Sequence, residues 1–287
     1  MGLTLQSANF LLGEKKRGVE FNNILTLGHQ GVYMNQGEYN KIIRSLGLEI
    51  ESATNYADAF FKGIGVRQLD IMDASEYEGA TMVHDLNEAL PDDNFKRYDC
   101  VIDGGTLEHV FNFPQAIKTC MELVKEGGHL ILFTPWHNYA GHGFYEFSPE
   151  LFFRILSPEN GYFVERMLIN QKRKWFSILD PKRIHSRVEI KGNESTLLYI
   201  SAKRVEIKKI LSQWPQQSDY SIAWLSSEKL FPNQKTIING FKEHLIEMFP
   251  VLYSVQDFWR NAKVSLNYER NKSNWCIPLA NDNGVPL

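Results

Sequence analysis

Between residues 23 and 157 short apolar runs alternate with longer stretches of helical periodicity. The runs cover residues 23–28, 66–73, 80–85, 98–103 and 129–134, and each closes on Gly, Asp or Pro within a few positions. Runs this short and this bounded predict strands. Between the last two, residues 113–125 place Ala116, Met121 and Val124 among the apolar positions of a helix, with Gly127-Gly128 as its stop. Ser148 as N-cap and Pro149 at the first helical position open another helix, which carries Leu151, Phe152, Ile155 and Leu156 inward and stops near Pro158. Such alternation predicts a parallel sheet covered by helices.

Two further strands are predicted at residues 162–170 and 195–205, with no clear helix between them. Strands joined without a crossover helix form an antiparallel pair, placed here at the sheet edge. The expected fold is therefore α/β and Rossmann-like, with about seven strands, five parallel and two in a terminal antiparallel hairpin. The connecting segment 171–194 is polar and carries Lys172, Arg173, Lys174, Lys182, Arg183, Arg187 and Lys191. It is expected to border a ligand site and to favour an anionic ligand, although charge runs of this kind also occur as solvated faces. From about residue 206 the chain turns to scattered aromatic and polar residues, with a helix expected at 234–248 on Ile237, Ile238, Phe241, Leu245 and Ile246, and a loose tail at 280–287. Residues 1–205 read as a Rossmann-like domain and 206–287 as a helical C-terminal appendage.

Composition narrows the partners. A formal net charge of −3 supplies no basic field for nucleic acid. No apolar run approaches the roughly 20 residues that span a bilayer. Cys100, Cys120 and Cys276 show no CxxC spacing, which argues for a reducing compartment and against a structural zinc site. The first residues lack a signal-peptide pattern, and Gln6 stands where myristoylation expects Ser or Thr. The expectation is a soluble, cytoplasmic protein with no nucleic-acid or membrane partner.

In an open parallel sheet, ligands bind at the carboxyl ends of the strands. After the first run comes Gly28-His29-Gln30-Gly31, a turn whose backbone can approach a ligand or simply turn. Asp73 ends the second run and can accept both ribose hydroxyls or cap the next turn. Asp85-Leu86 ends the third and suits either an adenine edge or an Asx turn. The fourth is the richest: Asp103-Gly104-Gly105-Thr106-Leu107-Glu108-His109-Val110 leaves its strand with acids, glycines and a histidine beside the cleft.

With Leu107-Glu108-His109-Val110, then a helix, then Lys125-Glu126-Gly127-Gly128 before a buried strand, residues 20–205 resemble the class I methyltransferases. These use S-adenosyl-L-methionine (SAM) as methyl donor. The resemblance implies that Gly28, His29, Gln30 and Gly31 lie beside the methionine part of SAM. It implies that Asp73 holds the ribose, that Asp85 and Leu86 meet the adenine, and that Asp103 and Gly104 lie under the amine and sulfonium. The chain departs from the family's first-strand pattern in two places: Thr26 stands for its acid and Gln30 for its middle glycine. The segment 135–148 after the fifth run contains Gly141-His142-Gly143-Phe144-Tyr145 and resembles a subset near bacterial surface-glycan and small-molecule biosynthesis.

An imidazole flanked by glycines suits proton removal near neutral pH, so His142 is the first candidate base and His109 the second. His137 and His142 also fit as loop residues bonded to nearby backbone. The pair His137/His142 lacks further ligands in sequence, and no metal is assigned. The expected activity is SAM-dependent O-methylation of a sugar or other polar small molecule, with an anionic or nucleotide-linked sugar as acceptor. Two alternatives stay open: a noncatalytic relative, suggested by Thr26 and Gln30, and a nucleotide-dependent enzyme of another Rossmann-like family, against which the missing GxGxxG speaks.

Overall fold

A computed structural model describes residues 2–49, 55–91, 97–171, 173–190, 192–221 and 276–278. Among these, nine strands form one sheet: β1 (Asn23–Leu27), β2 (Gln68–Asp73), β3 (Met82–Val83), β4 (Tyr98–Asp103), β5 (Val124–His137), β6 (Tyr162–Gln171), β7 (Lys174–Ile178), β8 (Thr196–Arg204) and β9 (Cys276–Pro278). Their spatial order is β3-β2-β1-β4-β5-β8-β6-β7-β9. The five strands β3 to β5 in that order run parallel, with Leu25 opposite Asp70 on one side and Val101 on the other. The remaining pairs are antiparallel.

The Rossmann-like α/β architecture and its parallel half are as the sequence leads one to expect; the antiparallel half is wider. The β6/β8 pair forms, but β8 lies between β5 and β6, and two more strands follow outward. One of them, β7, comes from the segment that reads as polar linker: Trp175 and Ile178 are buried while Lys174 is exposed. The other, β9, comes from the region expected to be a helical appendage. The helix expected at 234–248 and the tail at 280–287 lie outside the described residues.

Six α-helices cover the sheet among the described residues: α1 (Leu5–Lys16), α2 (Gln36–Ser45), α3 (Asp58–Gly63), α4 (Phe113–Leu123), α5 (Pro149–Ile155) and the single turn α6 (Pro181–Ile184). Alternation along the strands sorts the core into two layers. Leu25, Val101, Leu130 and Ile200 meet the layer of α4 and α5. Ile24, Cys100, Ile131 and Tyr199 meet α1, α2 and α3. The long first crossover therefore holds two helices, and α1 buries Phe10 against Phe133 and Tyr199, with ring centroids at 5.7 and 5.9 Å. Its buried Glu14 takes a hydrogen bond from Arg166 Nη1 of β6 at 2.9 Å.

One junction is unusual. α4 passes into β5 without an intervening residue, so its terminal carbonyls have no loop to satisfy them. The buried Arg204 at the end of β8 does so instead, its Nη1 donating to Met121 O and Glu122 O at 3.0 Å and to Val124 O at 2.7 Å. At α5 the expected cap is present, with Ser148 accepting from Leu151 N at 3.4 Å. No helix among the described residues is long and apolar enough to cross a membrane.

Candidate active site

From β1 the chain builds outward to β2 and β3 on one side and then to β4 and β5 on the other. This reversal opens a crevice outside the carboxyl ends of β1 and β4, where open α/β sheets take their ligands. Gly28 ends β1 with φ +68° and donates its N–H to Met72 O at 2.7 Å. A Cβ at this position would lie 3.7 Å from Asp73 Oδ2 and 3.8 Å from Thr106 Oγ1. The ends of three strands thus converge over one residue whose backbone conformation favours glycine. Asp73 Oδ1 also accepts from Ser75 N at 3.3 Å, so the same carboxylate steadies its own turn.

Asp103 ends β4 without exposure to solvent. Its Oδ1 accepts from Gly105 N at 3.1 Å and Thr106 N at 2.7 Å, while its Oδ2 has no hydrogen-bond partner. Burial pushes its carboxyl up to about 6, against the lowering effect of those N–H groups. Beside it, Gln30 turns inward. Its Nε2 donates to Leu27 O at 2.8 Å and Gly28 O at 3.2 Å, and its Oε1 covers Gly104 so closely that a Cβ there would sit 1.8 Å away. The Gln30 side chain therefore fills space at the floor of the crevice.

The other residues of the first turn are engaged by their own fold. The His29 ring stacks on Tyr56 at 3.6 Å, with Nε2 3.0 Å from Asp58 Oδ2 and Nδ1 2.9 Å from Glu78 O. It ties the first crossover to the loop after β2. Gly31 O accepts from Leu3 N at 2.7 Å, joining the turn to the segment before α1. After β3, Asp85 Oδ1 accepts from Asn87 N at 2.9 Å and Asn87 Nδ2 at 2.8 Å, an Asx turn that holds its carboxyl below the usual range. Leu86 points into the core, which leaves only its backbone to meet a ligand. Asn87 in turn accepts from Asn112 N at 2.9 Å, linking this loop to the start of α4. Tyr56, Asp58 and Asn112 carry no motif that would have singled them out.

A second cluster lies where β4 and β5 open. The 3₁₀ turn Leu107–His109 carries Glu108, a side chain with no solvent exposure, and both its carboxylate oxygens lack hydrogen-bond partners. His142 Nε2, from the loop after β5, lies 3.6 Å from Glu108 Oε1. Burial, reinforced by the charge of Asp103, raises the Glu108 carboxyl to about 8. Burial and the neighbouring His142 lower His109, whose ring meets that of His142 edge to face at 5.0 Å. His137 is elsewhere, bonding Gly192 O at 3.0 Å. The sequence marks Glu108 only as part of a motif; its weight in the site comes from burial, which spacing does not reveal.

Glu108 also fixes the loop through its carbonyl, which accepts from Phe144 N at 2.8 Å and Tyr145 N at 3.3 Å. Gly143, at φ +90°, passes so close that a Cβ would lie 2.8 Å from the same oxygen. Phe111 and Phe144 flank the cluster, 71% and 66% exposed and edge to face at 5.8 Å.

No protein-family profile matches the chain. No curated protein matches it either. Solved structures that resemble it include an inferred methyltransferase from Bacillus halodurans, at 12% identity and a TM-score of 0.41, over 68% of this chain and 98% of that one. Another is the N-methyltransferase NodS from Bradyrhizobium japonicum in complex with S-adenosyl-L-homocysteine, at 12% identity and a TM-score of 0.39, over 69% and 85%. A third is the branched-chain polyamine synthase from Thermus thermophilus, at 12% identity and a TM-score of 0.37, over 74% and 61%.

Proposed function

We propose that the chain is a SAM-dependent methyltransferase acting on a hydroxyl of a sugar or similar polar small molecule, with its site within residues 1–205. The observation that carries the reading is Asp73 Oδ2 poised over Gly28, beside Thr106, at the switch point of the sheet. A carboxylate over a bare backbone turn suits a ribose diol. Asp103 and Gly104 would face the methionine amine, the buried Oδ2 of Asp103 having no hydrogen-bond partner of its own. Asp85 and the backbone of Leu86 would meet the adenine, with the backbone of Gly28 to Gly31 along the methionine.

When bound, the cofactor supplies a methyl group made electrophilic by its sulfonium. The chain's own residues align the acceptor oxygen for in-line attack, exclude water and take the hydroxyl proton. His142 is the proposed proton acceptor, with His109 beside it and Glu108 facing it at 3.6 Å. The exposed pair Phe111 and Phe144 offers an apolar platform for one face of a sugar ring. Lys182 gives the acceptor no charge partner: it lines a cavity with Glu159 at the start of β6, the end of the sheet opposite the crevice. Arg187 is likewise engaged, with Nη2 2.6 Å from Asp219 Oδ2. An anionic or nucleotide-linked acceptor thus draws no support from these two cations.

Calorimetric titration with S-adenosyl-L-homocysteine tests the reading. Asp73→Ala is expected to weaken binding by about 1.5–3 kcal/mol, the scale of hydrogen bonds to a charged group, with little change in stability. An unchanged affinity removes Asp73 from the site. Gln30 favours a second reading, a noncatalytic protein of the same fold, because its side chain stands over Gly104. Absence of any binding heat in the parent chain would establish that reading in place of the first. Alanine at both Phe111 and Phe144 is expected to raise the acceptor KM about tenfold, on the scale of lost ring stacking, while cofactor affinity holds. An unaltered KM would show that the acceptor binds elsewhere.

A further inference from the structure

We propose that Glu108, His109 and His142 form a binding site for one divalent first-row transition-metal ion, of the zinc or manganese kind, at the acceptor end of the crevice. Each residue offers one ligand atom, and all three atoms lie within 4.8 Å of one another. Two of these side chains are otherwise unexplained. Glu108 is fully buried with neither carboxylate oxygen hydrogen-bonded, and His142 Nε2 is buried without a hydrogen-bond partner. Buried polar atoms normally find partners, because leaving them bare costs free energy. These two face each other at 3.6 Å, too far for a hydrogen bond. That separation matches two ligands around one ion, since metal–ligand bonds of about 2.1 Å place tetrahedral ligands about 3.4 Å apart.

The backbone holds the ligands in place. Glu108 and His109 share the turn after β4, His142 sits in the loop after β5, and the hydrogen bonds from Phe144 N and Tyr145 N to Glu108 O clamp the two segments together. Their separation is therefore a built-in feature of the fold rather than a chance meeting of mobile side chains. Two imidazoles and one carboxylate suit zinc, manganese, iron or cobalt, whereas magnesium prefers an all-oxygen shell. Three protein ligands leave coordination positions open, and the exposed His109 puts the site at the surface of the crevice. Resting on the methyltransferase reading, an open position facing the crevice would take the acceptor oxygen and lower its proton affinity. With the ion bound the two imidazoles would be ligands and the hydroxyl proton would pass to solvent water, whereas in the metal-free chain His142 is the proton acceptor.

The test uses the full chain, stripped by chelator and dialysed, and titrated calorimetrically with Zn²⁺ alone. A parallel titration with Co²⁺ is followed by its visible ligand-field absorption. One ion per chain is expected, with Mg²⁺ competing poorly. Glu108→Gln and His142→Ala should each weaken the binding tenfold or more, while His185→Ala, an exposed imidazole elsewhere, should leave it unchanged. His109→Ala provides a variant at an exposed position, where the fold is not at stake. No binding by the parent chain overturns the proposal, as does binding of equal strength in the Glu108, His109 and His142 variants. The titration needs no cofactor. A chain that binds zinc but not S-adenosyl-L-homocysteine keeps the metal site and loses the methyltransferase reading, and the reverse result does the opposite.

Discussion

His142→Ala is expected to lower kcat by about 10²–10⁴ while the affinity for S-adenosyl-L-homocysteine stays within twofold of the parent, the scale of losing a positioned proton acceptor. The split between kcat and cofactor affinity follows from geometry. His142 faces Glu108 and His109 at the end of the crevice bounded by β5, whereas the proposed cofactor contacts lie at Gly28, Asp73 and Asp103. His109→Ala is the companion measurement. Near-parent kcat in His142→Ala together with a deep loss in His109→Ala would move the base to His109. Near-parent kcat in both would remove proton transfer from the mechanism.

Arg204→Met is expected to cost about 3 kcal/mol of folding stability, because hydrogen bonds to a charged group contribute about 1.5–3 kcal/mol each and three that share one nitrogen do not add in full. Thermal unfolding should show it as a fall of roughly 6–12 °C, at 2–4 °C per kcal/mol for a domain of this size. The variant keeps an apolar stem of similar length but removes the Arg204 donor from the Met121, Glu122 and Val124 carbonyls. Tyr162 Oη still donates to Met121 O at 2.6 Å, which limits the loss at that carbonyl. Arg97 also donates to Glu122 O but from an exposed position, and Arg97→Met should cost less than about 1 kcal/mol. Equal effects of the two substitutions would refute the view that the buried Arg204 is the main donor at the end of α4.

The parallel half of the sheet is most legible at its centre, where β1 and β4 are almost wholly buried and read as short, largely apolar runs ending at Gly28 and Asp103. The Ser148-Pro149 start of α5 is legible for a similarly local reason. α1 is not, because it buries Ser7, Gly13 and Glu14 alongside Phe10 and Leu11 and so shows no apolar stripe. Its Glu14 is balanced by Arg166, 152 residues away, which no local pattern could announce. β7 hides in a basic stretch because only Trp175 and Ile178 of its five residues are buried. At the site, position along a strand is enough to single out Asp73 and Asp103, since the fold places the carboxyl ends of the five parallel strands at one edge. It cannot separate His29, whose ring is held by Tyr56 and Asp58, from Gln30, which turns inward.

The contact between Gln30 and Gly104 couples the two positions in the order in which they can change. With Oε1 of Gln30 where a side chain on residue 104 would begin, any residue larger than glycine at 104 must displace that amide and its bonds to Leu27 O and Gly28 O. A lineage drifting from this sequence could shorten position 30 first and then fill position 104. The reverse order passes through a clash at the crevice floor. Related chains should therefore show a small residue at 30 wherever 104 bears a side chain, and glycine at 104 wherever 30 is long.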